Sequence, residues 1–412
     1  MMNFKKHVIV VGGGASGMMA AISAGRMGAK VTILERNPRI GKKILATGNG
    51  RCNFTNINAG ITCYAGANPQ FVSGALSQFS VKDTIGFFEK LGIAHKVEDQ
   101  GKVFPMSDQA SSVLDVLMHE LNSIGINIIC NAFVKSIFKI NGTFEIKTED
   151  GKKYRGDKII IATGGKAMPS TGSDGNGYEL AQNFGHSITH IFPGLVQLKL
   201  EGNFFKQIEG VKFVGTGEIL HQNKSIAKDR GDILFGNYGV SGPPILQISR
   251  IAGELLDRNK EAVLKIIMFD GLSKRELINL LKERFKNSIG KTLEFSLVGL
   301  INKRLIPVIL KEAGFNDLKM PASEISLKEQ EKIAHILTDW RFKIRGTKSW
   351  PSAQITAGGI TTKEINPDTM ESKIIPGIYF TGEILDVDGM CGGYNLQWAW
   401  SSGFVAGQHA AR

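Results

Sequence analysis

Three glycines near the start of the sequence have the spacing of a loop that binds phosphate groups. Gly12, Gly14 and Gly17 fit the pattern G-x-G-x-x-G, between the apolar run HVIVV and a stretch of small apolar residues. The first glycine allows the turn, the second lets the backbone approach a pyrophosphate, and the third allows close helix packing. The helix start offers amide donors and a favourable dipole. Glu35, 23 residues after Gly12, ends the next apolar run, where it can accept hydrogen bonds from ribose. The pattern predicts a dinucleotide site.

Two further segments indicate which dinucleotide is bound. Residues 41–56 read GKKILATGNGRCNFTN, a glycine-rich loop that a simple nicotinamide-dependent dehydrogenase does not need at this position. Residues 378–407 contain Thr381-Gly382-Glu383, then Asp388, then Gly392-Gly393 before an apolar helix. The amides at such a helix start can stabilise negative charge on a reduced flavin ring. The two segments favour FAD, and because no covalent attachment site is recognisable we expect it to be bound non-covalently.

The sequence offers no second dinucleotide motif. Gly215-Thr216-Gly217 has Leu220 where the third glycine should stand, and the chain continues into a predicted hairpin turn. We therefore expect NAD(P)H, where it serves as hydride donor, to bind only transiently beside the FAD. No residue is assigned a catalytic role.

The cysteines do not have the spacing of a metal or dithiol site. Cys52, Cys63, Cys130 and Cys391 include no CxxC pair and no zinc pattern, so we expect free thiols and no metal. Cys52 and Cys391 lie in flavin-proximal motifs and are either redox-active or small packing residues. We favour packing, because neither has a second cysteine at dithiol spacing.

The charge and hydropathy of the chain bear on its partners. The net charge is +12 over 412 residues, but the lysines are scattered and the longest basic runs are pairs such as Lys42-Lys43. We expect a small-molecule substrate and no nucleic acid. No apolar stretch approaches the roughly 18 residues of a membrane span, and we expect a cytoplasmic protein. The oligomeric state is left open.

Hydrophobic periodicity indicates the elements that position these residues. Residues 7–11, 15–28 and 30–34 read as a strand, a helix and a strand, and further strands are predicted at 126–130, 134–139, 143–148 and 158–162. After Gly194, strands at 195–200, 211–218, 232–235 and 264–269 with a helix at 243–257 suggest a small antiparallel barrel. Ser273 and Ser326 begin capping boxes in a helical stretch. We predict an FAD-binding domain at 1–191 and 346–412, interrupted by a barrel-like domain at 192–271 and a helical domain at 272–345.

Several of these segments together resemble the HI0933-like flavoproteins. The matching stretches are VVGGGASGMMAAI, KKILATGNGRCNFTN, IIIATGG, MESKIIPGIYFTGEILDVDG and GGYNLQWAWSSG. The resemblance implies an α/β fold, with a glutathione-reductase-like FAD-binding Rossmann domain, an inserted antiparallel β-barrel domain and a helical domain. It also implies an FAD-dependent oxidoreductase. One departure concerns LFGNYGVSGP, which has Asn237 where family members often carry histidine, and this puts a proton-transfer role there in doubt.

The resemblance and the motifs together give the candidate cofactor-binding residues. They are Gly12, Gly14, Ala15, Ser16, Gly17, Glu35, Arg36, Lys43, Thr47, Gly48, Gly50, Arg51, Cys52, Asn53, Val134, Ala162, Thr163, Gly164, Gly382, Glu383, Asp388, Gly393, Tyr394, Asn395 and Leu396. Two other functions stay open at this point: a flavin-dependent tRNA-modifying enzyme, and a flavin-carrying scaffold without turnover.

Overall fold

The computed structural model describes residues 6–412, and it divides into two compact units: residues up to Phe192 with Ala353–Arg412, and Pro193–Ser352. The strands are β1 (His7–Val11), β2 (Lys30–Leu34), β3 (Thr55–Asn56), β4 (Tyr64–Ala65), β5 (His95–Val97), β6 (Lys102–Pro105), β7 (Asn127–Ile129), β8 (Val134–Ile140), β9 (Thr143–Thr148), β10 (Lys153–Gly156), β11 (Lys158–Ile161), β12 (Phe192–Gly194), β13 (Leu198–Leu200), β14 (Lys212–His221), β15 (Lys224–Gly236), β16 (Gly239–Ser241), β17 (Val263–Ile267), β18 (Trp340–Thr347), β19 (Ile355–Ala357), β20 (Ile378–Phe380) and β21 (Asp388–Gly389). The helices are α1 (Ala15–Arg26), α2 (Val72–Gln78), α3 (Val81–Lys90), α4 (Ala110–Ser123), α5 (Asn176–Gln182), α6 (Phe205–Ile208), α7 (Pro243–Asp257), α8 (Lys274–Lys286), α9 (Leu293–Ser296), α10 (Ile306–Glu312), α11 (Leu327–Thr338) and α12 (Tyr394–Ala410).

The first unit is organised by a parallel five-stranded sheet in the order β20-β11-β1-β2-β7. Its middle strand β1 pairs with β2 on one side and β11 on the other, and Val8, Ile9 and Val10 have no exposed surface. Burial on both faces explains why β1 is a continuous apolar run. Each such side chain stabilises the fold by about 1.5–3 kcal/mol relative to an exposed one. The carboxyl end of β1 therefore starts from a fixed position when it enters the glycine-rich turn.

Helices α1 and α12 pack together so closely that glycine is required at their contact. A Cβ atom on Gly403 would lie 2.4 Å from the carbonyl oxygen of Ser16, and one on Gly407 would lie 2.3 Å from that of Ala20. From the first contact to the second, the residue number increases by four on both helices, so the two helices run in the same direction. The predicted final helix is therefore part of the core of the first unit.

A three-stranded antiparallel sheet, β10-β9-β8, belongs to the same unit. Its β8–β9 hairpin turns at Asn141-Gly142, where both residues have positive φ, 49° and 79°. Those angles suit the two-residue turn that matches strand twist. The predicted hairpin at Gly142 is confirmed.

The second unit contains six strands that form a closed barrel in the order β13-β16-β15-β14-β17-β18, with every neighbouring pair antiparallel. Helices α8 and α11 begin at Ser273 and Ser326 with the predicted capping boxes, which the structure confirms. The stretch around Gly215 lies inside β14, so it is not a helix start.

One predicted boundary differs from the structure. Residues 272–345 were expected to be helical, yet Trp340–Thr347 form β18, which closes the barrel. In this strand Trp340, Phe342 and Ile344 are buried, while the basic residues between them are exposed. The period-2 alternation was present in the sequence WRFKIRGT and was missed. The predicted boundary at 345/346 therefore cuts through a strand, and the second segment of the first unit begins at Ala353.

Candidate functional site

The turn between β1 and α1 leaves space for a ligand. Gly12 has a φ of +104°, and a Cβ atom there would lie 2.5 Å from the carbonyl oxygen of Ala162. A Cβ on Gly17 would lie 2.0 Å from the oxygen of Gly12, whereas one on Gly14 would meet nothing within 4 Å. Helix α1 begins at Ala15 with no side-chain cap. Its first amides therefore face open space beside Gly14, which suits a pyrophosphate.

The Glu35 carboxylate, 7% exposed, is held by three donors. Its Oε2 accepts from the Gly13 amide at 2.8 Å, and its Oε1 accepts from the backbone and side-chain nitrogens of Asn37, both at 2.8 Å. A carboxylate has about four acceptor positions. One position on Oε2 remains, so Glu35 can accept one ribose hydroxyl without losing a protein contact. The contact of Asn37, two residues after Glu35, is not predicted from the sequence.

Arg36 extends over a neighbouring loop. Its guanidinium lies 2.5 Å from Asp174 and 4.6 Å from the ring centroid of Phe133. The Ala132 amide donates to the Glu35 carbonyl at 2.8 Å, so the residues before Val134 run beside the carboxyl end of β2. Arg36 and Val134 therefore lie on the expected adenosine side of the motif.

The loop after Glu35 has an unusual backbone. Gly48, Asn49, Gly50 and Cys52 all have positive φ, between 56° and 84°. Thr47 ends the short helical turn, with its hydroxyl donating to the Ile44 carbonyl at 2.6 Å. The amides of Arg51 and Cys52 donate within the loop, to the carbonyls of Gly48 and Thr47 at 3.2 and 3.1 Å.

Lys43 and Glu383 are joined by an ion pair, with Nζ 2.6 Å from Oε2. The other oxygen of Glu383 accepts from the Thr356 amide at 2.9 Å. Both side chains were predicted to contact the cofactor. The structure shows that they contact each other, about one quarter and one fifth exposed.

Arg51 is engaged outside the loop. It pairs with Glu98 and Asp108, and its guanidinium lies 4.1 Å from the ring centroid of Phe104. Its Nε and Nη2 donate to the two carboxylates, so a guanidinium contact with the ribityl chain or ring would have to come from Nη1.

Cys52 and Asn53 are both buried. Burial raises the pKa of the Cys52 thiol to about 12, which keeps it protonated and unreactive at neutral pH. The Asn53 Oδ1 accepts from the Val103 amide at 3.1 Å. The preference for a packing role at Cys52 agrees with this burial.

The strand β11 returns the chain to the same end of the sheet. The Ala162 amide donates to the Val11 carbonyl at 2.8 Å, and Ala162 packs behind Gly12. Thr163 follows, and then Gly164, whose φ is +74° and whose Cβ would lie 2.7 Å from the Ser173 hydroxyl oxygen. The predicted residues 162–164 thus lie beside the glycine-rich turn between β1 and α1.

Gly382 is fixed by α12 and lies beside the start of α1. Its amide donates to the Ser402 hydroxyl and its carbonyl accepts from the Trp398 indole, both at 3.0 Å. A Cβ on Gly382 would lie 2.6 Å from the Ser16 hydroxyl oxygen. Sequence reasoning missed Trp398 and Ser402, although both lie on the final helix four residues apart.

The segment before α12 is closed by side-chain contacts. The Asn395 Oδ1 accepts from the Gly389 amide at 2.8 Å, and its Nδ2 donates to the Gly389 carbonyl at 2.9 Å. Asp388 is buried in β21. Tyr394 is buried with its ring edge against Tyr64, 6.5 Å between centroids, and Leu396 is partly buried. Tyr394 therefore packs in the core.

The two uncapped helix starts are staggered along one direction. Gly393, with a φ of +97°, precedes α12, which has no side-chain cap. The contact of α12 with Ser16 comes nine residues after its start, whereas Ser16 is one residue after the start of α1. At 1.5 Å per residue, the α12 start lies about 12 Å beyond that of α1. One helix start suits a pyrophosphate and the other a second electron-rich group, so the residues present fit FAD.

Two histidines have partners within the protein. His186 is buried, with Nδ1 3.1 Å from Glu364 and Nε2 2.9 Å from the Ser372 hydroxyl. His221 Nδ1 lies 2.8 Å from the Glu261 carbonyl. The arrangement of Ser372, His186 and Glu364 resembles a hydrolytic triad, but Ser372 is only 5% exposed and is positioned by the amides of the next turn.

Comparisons with known proteins agree with this geometry. The chain matches the model of the HI0933-like protein Rossmann domain over residues 6–409. It is 39% identical to the 3-dehydro-bile acid delta(4,6)-reductase of Clostridium scindens, covering 98% of both chains. It is 32% identical to the ribosomal RNA dihydrouridine synthase of Escherichia coli K12, covering 97% of this chain and 96% of that protein.

A solved structure shows the shared fold. The 3-ketosteroid-delta4-(5alpha)-dehydrogenase of Rhodococcus jostii RHA1, in complex with 4-androstene-3,17-dione, aligns with 100% of this chain and 98% of its own. The TM-score is 0.51 at 15% identity. Within residues 6–412, no helix combines the length and apolar character needed to cross a membrane. The geometry of the glycine-rich turn after β1 and of Glu35 after β2 agrees with the family match and the relatives. The chain belongs to the HI0933-like family and is an FAD-dependent oxidoreductase.

Proposed function

We propose that this protein reduces a carbon–carbon double bond conjugated to a carbonyl group, with non-covalent FAD as cofactor and NAD(P)H as transient hydride donor. The observation that carries the proposal is a bond type common to two relatives that align over nearly the whole chain. A 3-dehydro-bile acid with delta(4,6) unsaturation has double bonds conjugated to its 3-oxo group. A dihydrouridine synthase saturates the uracil double bond that is conjugated to a ring carbonyl.

The reaction needs a hydride and a proton. The hydride adds to the carbon β to the carbonyl, the proton adds to the α carbon, and the carbon–carbon π bond is lost. When bound, FAD would supply the hydride after accepting two electrons from NAD(P)H, and the proton would come from solvent. The chain contributes the open face beside Gly14, the single remaining acceptor position of Glu35 and the uncapped start of α12. Amides at that start stabilise negative charge in their vicinity.

For the substrate we propose a small alicyclic or steroidal enone, in line with the 39% identical relative. A uracil ring in ribosomal RNA is the second candidate, supported by the 32% identical relative. We also propose a cytoplasmic location, and an inserted domain of barrel and helices within residues 193–352. Further proposals are that the 25 residues named from the sequence form the FAD site, with Lys43, Glu383 and Tyr394 supporting it through the protein contacts described above, and that Cys52 and Cys391 take no part in electron transfer.

An anaerobic half-reaction experiment separates the candidates. The purified protein is reduced with NADH or NADPH while flavin absorbance is followed, and then mixed with 4-androstene-3,17-dione, with a uridine-rich RNA, or with the saturated ketone as control. Reoxidation by the enone, with a product that has gained two hydrogens, supports the first candidate. Reoxidation by RNA, with dihydrouridine in its digest, supports the second. If neither acceptor reoxidises the flavin faster than the saturated ketone does, the proposal fails.

A further inference from the structure

We infer that the outer face of the three-stranded sheet β8–β10 is a binding surface for single-stranded RNA. This inference goes beyond the proposed reaction and does not depend on which acceptor is reduced. The outer face is defined by six side chains on the solvent side of the sheet: Phe138, Ile140, Glu145, Lys147, Lys153 and Arg155. The opposite side of the sheet faces the core, where Ile137, Phe144 and Ile146 are buried.

Three cations of the outer face surround one carboxylate. The Glu145 side chain, 10% exposed, lies 3.4 Å from Lys153, 3.4 Å from Arg155 and 3.9 Å from Lys147. The cations themselves are 43%, 58% and 79% exposed for Lys147, Lys153 and Arg155. One buried carboxylate organises three solvent-facing cations, so the face keeps a net charge of +2 available to an anionic partner.

The exposed aromatic ring of Phe138 lies on the same face of the sheet, beside these charged residues. Phe138 pairs across to Glu145, which in turn pairs across to Arg155. Phe138 is 46% exposed, and the Lys147 ammonium lies 5.0 Å from the centroid of its ring. Ile140, two residues on, is 47% exposed. An exposed ring next to cations is what single-stranded nucleic acid requires, because bases stack on the ring and phosphates contact the cations.

The barrel of the other unit also carries many basic residues, and three of them each pair with a separate carboxylate. Lys265 pairs with Glu218, Arg230 with Asp270 and Lys212 with Asp232. The outer face of β8–β10 has one carboxylate for three cations. The combination of three clustered cations with an exposed aromatic ring favours the β8–β10 face as the RNA site.

The linear sequence conceals this cluster. Lys147, Lys153 and Arg155 lie on two strands and meet Phe138 only through strand pairing. We expected no nucleic acid partner because the lysines are scattered along the sequence. The cluster on this face leads us to propose the opposite.

The test measures RNA binding directly, with the oxidised protein and no NAD(P)H, so failure of the reductase proposal leaves it intact. A labelled oligouridylate is titrated by fluorescence anisotropy across a salt series. The first variant combines Lys153→Gln with Arg155→Gln, and the second is Phe138→Ala. The matched control combines Lys212→Gln with Arg345→Gln on the barrel, where the side chains are 59% and 55% exposed.

Each variant is expected to change RNA affinity and its salt dependence in a different way. Removing two phosphate contacts should lower affinity at least tenfold and reduce the slope of log affinity against log salt by about 1.4. Phe138→Ala should lower affinity by about tenfold with the salt slope unchanged, because base stacking carries no counterion term. The barrel control should change affinity less than twofold.

Three results would overturn the proposal. They are unchanged RNA affinity in the Lys153/Arg155 variant, an equal loss in the barrel control, or a surface that binds anionic phosphatidylglycerol vesicles but not RNA. FAD content and melting temperature are measured on every variant. If Phe138→Ala fails to fold, the glutamine variant decides alone, since its two side chains are exposed.

Discussion

The ammonium of Lys43 lies 2.6 Å from the carboxylate of Glu383, a residue 340 positions further along the chain. The pair links the glycine-rich loop after β2 to the turn after β20, and the second Glu383 oxygen anchors the Thr356 amide. Two segments that are each predicted to approach the cofactor are thus joined at one point, together with the strand β19 that carries Thr356.

The first prediction concerns that pair. Lys43→Met and Glu383→Gln should each weaken FAD binding, and the double-mutant cycle should give a coupling energy of about 1 kcal/mol, because the pair is only partly screened by solvent. FAD affinity is measured by flavin fluorescence on the apoprotein. The same cycle at Arg26 and Glu120, an ion pair of 2.7 Å on α1 and α4, serves as control and should leave FAD affinity unchanged. A coupling energy of zero between Lys43 and Glu383 would show that their ion pair does not contribute to FAD binding.

The second prediction concerns Glu35. Glu35→Gln keeps the shape of the side chain but replaces one acceptor oxygen by a donor, so it should weaken FAD binding by about 1.5–3 kcal/mol, roughly tenfold to a hundredfold. Asn37→Ala should have a smaller effect, because it removes a group that positions the carboxylate and not the acceptor itself. Isothermal titration of apoprotein with FAD measures both. Equal losses in the two variants would mean that Glu35 serves only to hold the loop.

The third prediction concerns the cysteines. Cys52→Ser and Cys391→Ser should retain the rate of flavin reduction by NAD(P)H in an anaerobic single-turnover experiment. Burial raises the pKa of Cys52 to about 12, so no thiolate is available there at neutral pH. A large loss of rate in either variant, with FAD still bound, would restore a thiol mechanism.

The fourth prediction uses the glycine contact of α1 and α12. Gly403→Ala would place a methyl group 2.4 Å from the Ser16 carbonyl, so it should destabilise the protein by about 1–3 kcal/mol and lower FAD retention. Gly86→Ala on α3 is the control, because a Cβ there meets nothing within 4 Å. That variant should be neutral or more stable by up to about 1 kcal/mol. Thermal unfolding measures the stability of both variants. An equal change in unfolding free energy for the two variants would contradict the close packing of α1 and α12.

The fifth prediction concerns pH. Burial lowers the pKa of His186 below its ordinary value near 6.5, against the opposing effect of Glu364. The unfolded chain then binds a proton more readily than the folded one, so this stabilising contribution is present above about pH 6.5 and is lost as the pH falls below it. The difference in unfolding free energy between wild type and His186→Gln should therefore shrink between about pH 7.5 and pH 5.5. His7 and His409 also have lowered pKa values, and comparison with the variant cancels them. A difference that stays constant with pH would mean that His186 does not titrate in this range.

Local signals account for the parts of the fold that sequence reasoning predicted. The β1–α1–β2 unit follows from residues within 30 positions of each other, and so do the capping boxes at Ser273 and Ser326. The strand β18 was missed despite a clear alternation, because the helical period before it was extended too far.

Contacts between distant segments lay beyond sequence reasoning. The partners of His186 lie 178 and 186 positions away, and Lys43 and Glu383 meet only through the sheet order. The motifs indicated which residues surround the cofactor, but not which of their side chains are already occupied by one another.

The packing of α1 against α12 also sets the order of events during biosynthesis. The phosphate loop at residues 12–17 leaves the ribosome early, but Gly382, Gly403 and Gly407, which complete its surroundings, follow more than 360 residues later. At roughly 5–20 residues per second, translation takes about 20 to 75 s to cover that interval. The nascent chain therefore lacks part of these surroundings throughout this time, so FAD cannot contact the complete site until α12 has been synthesised.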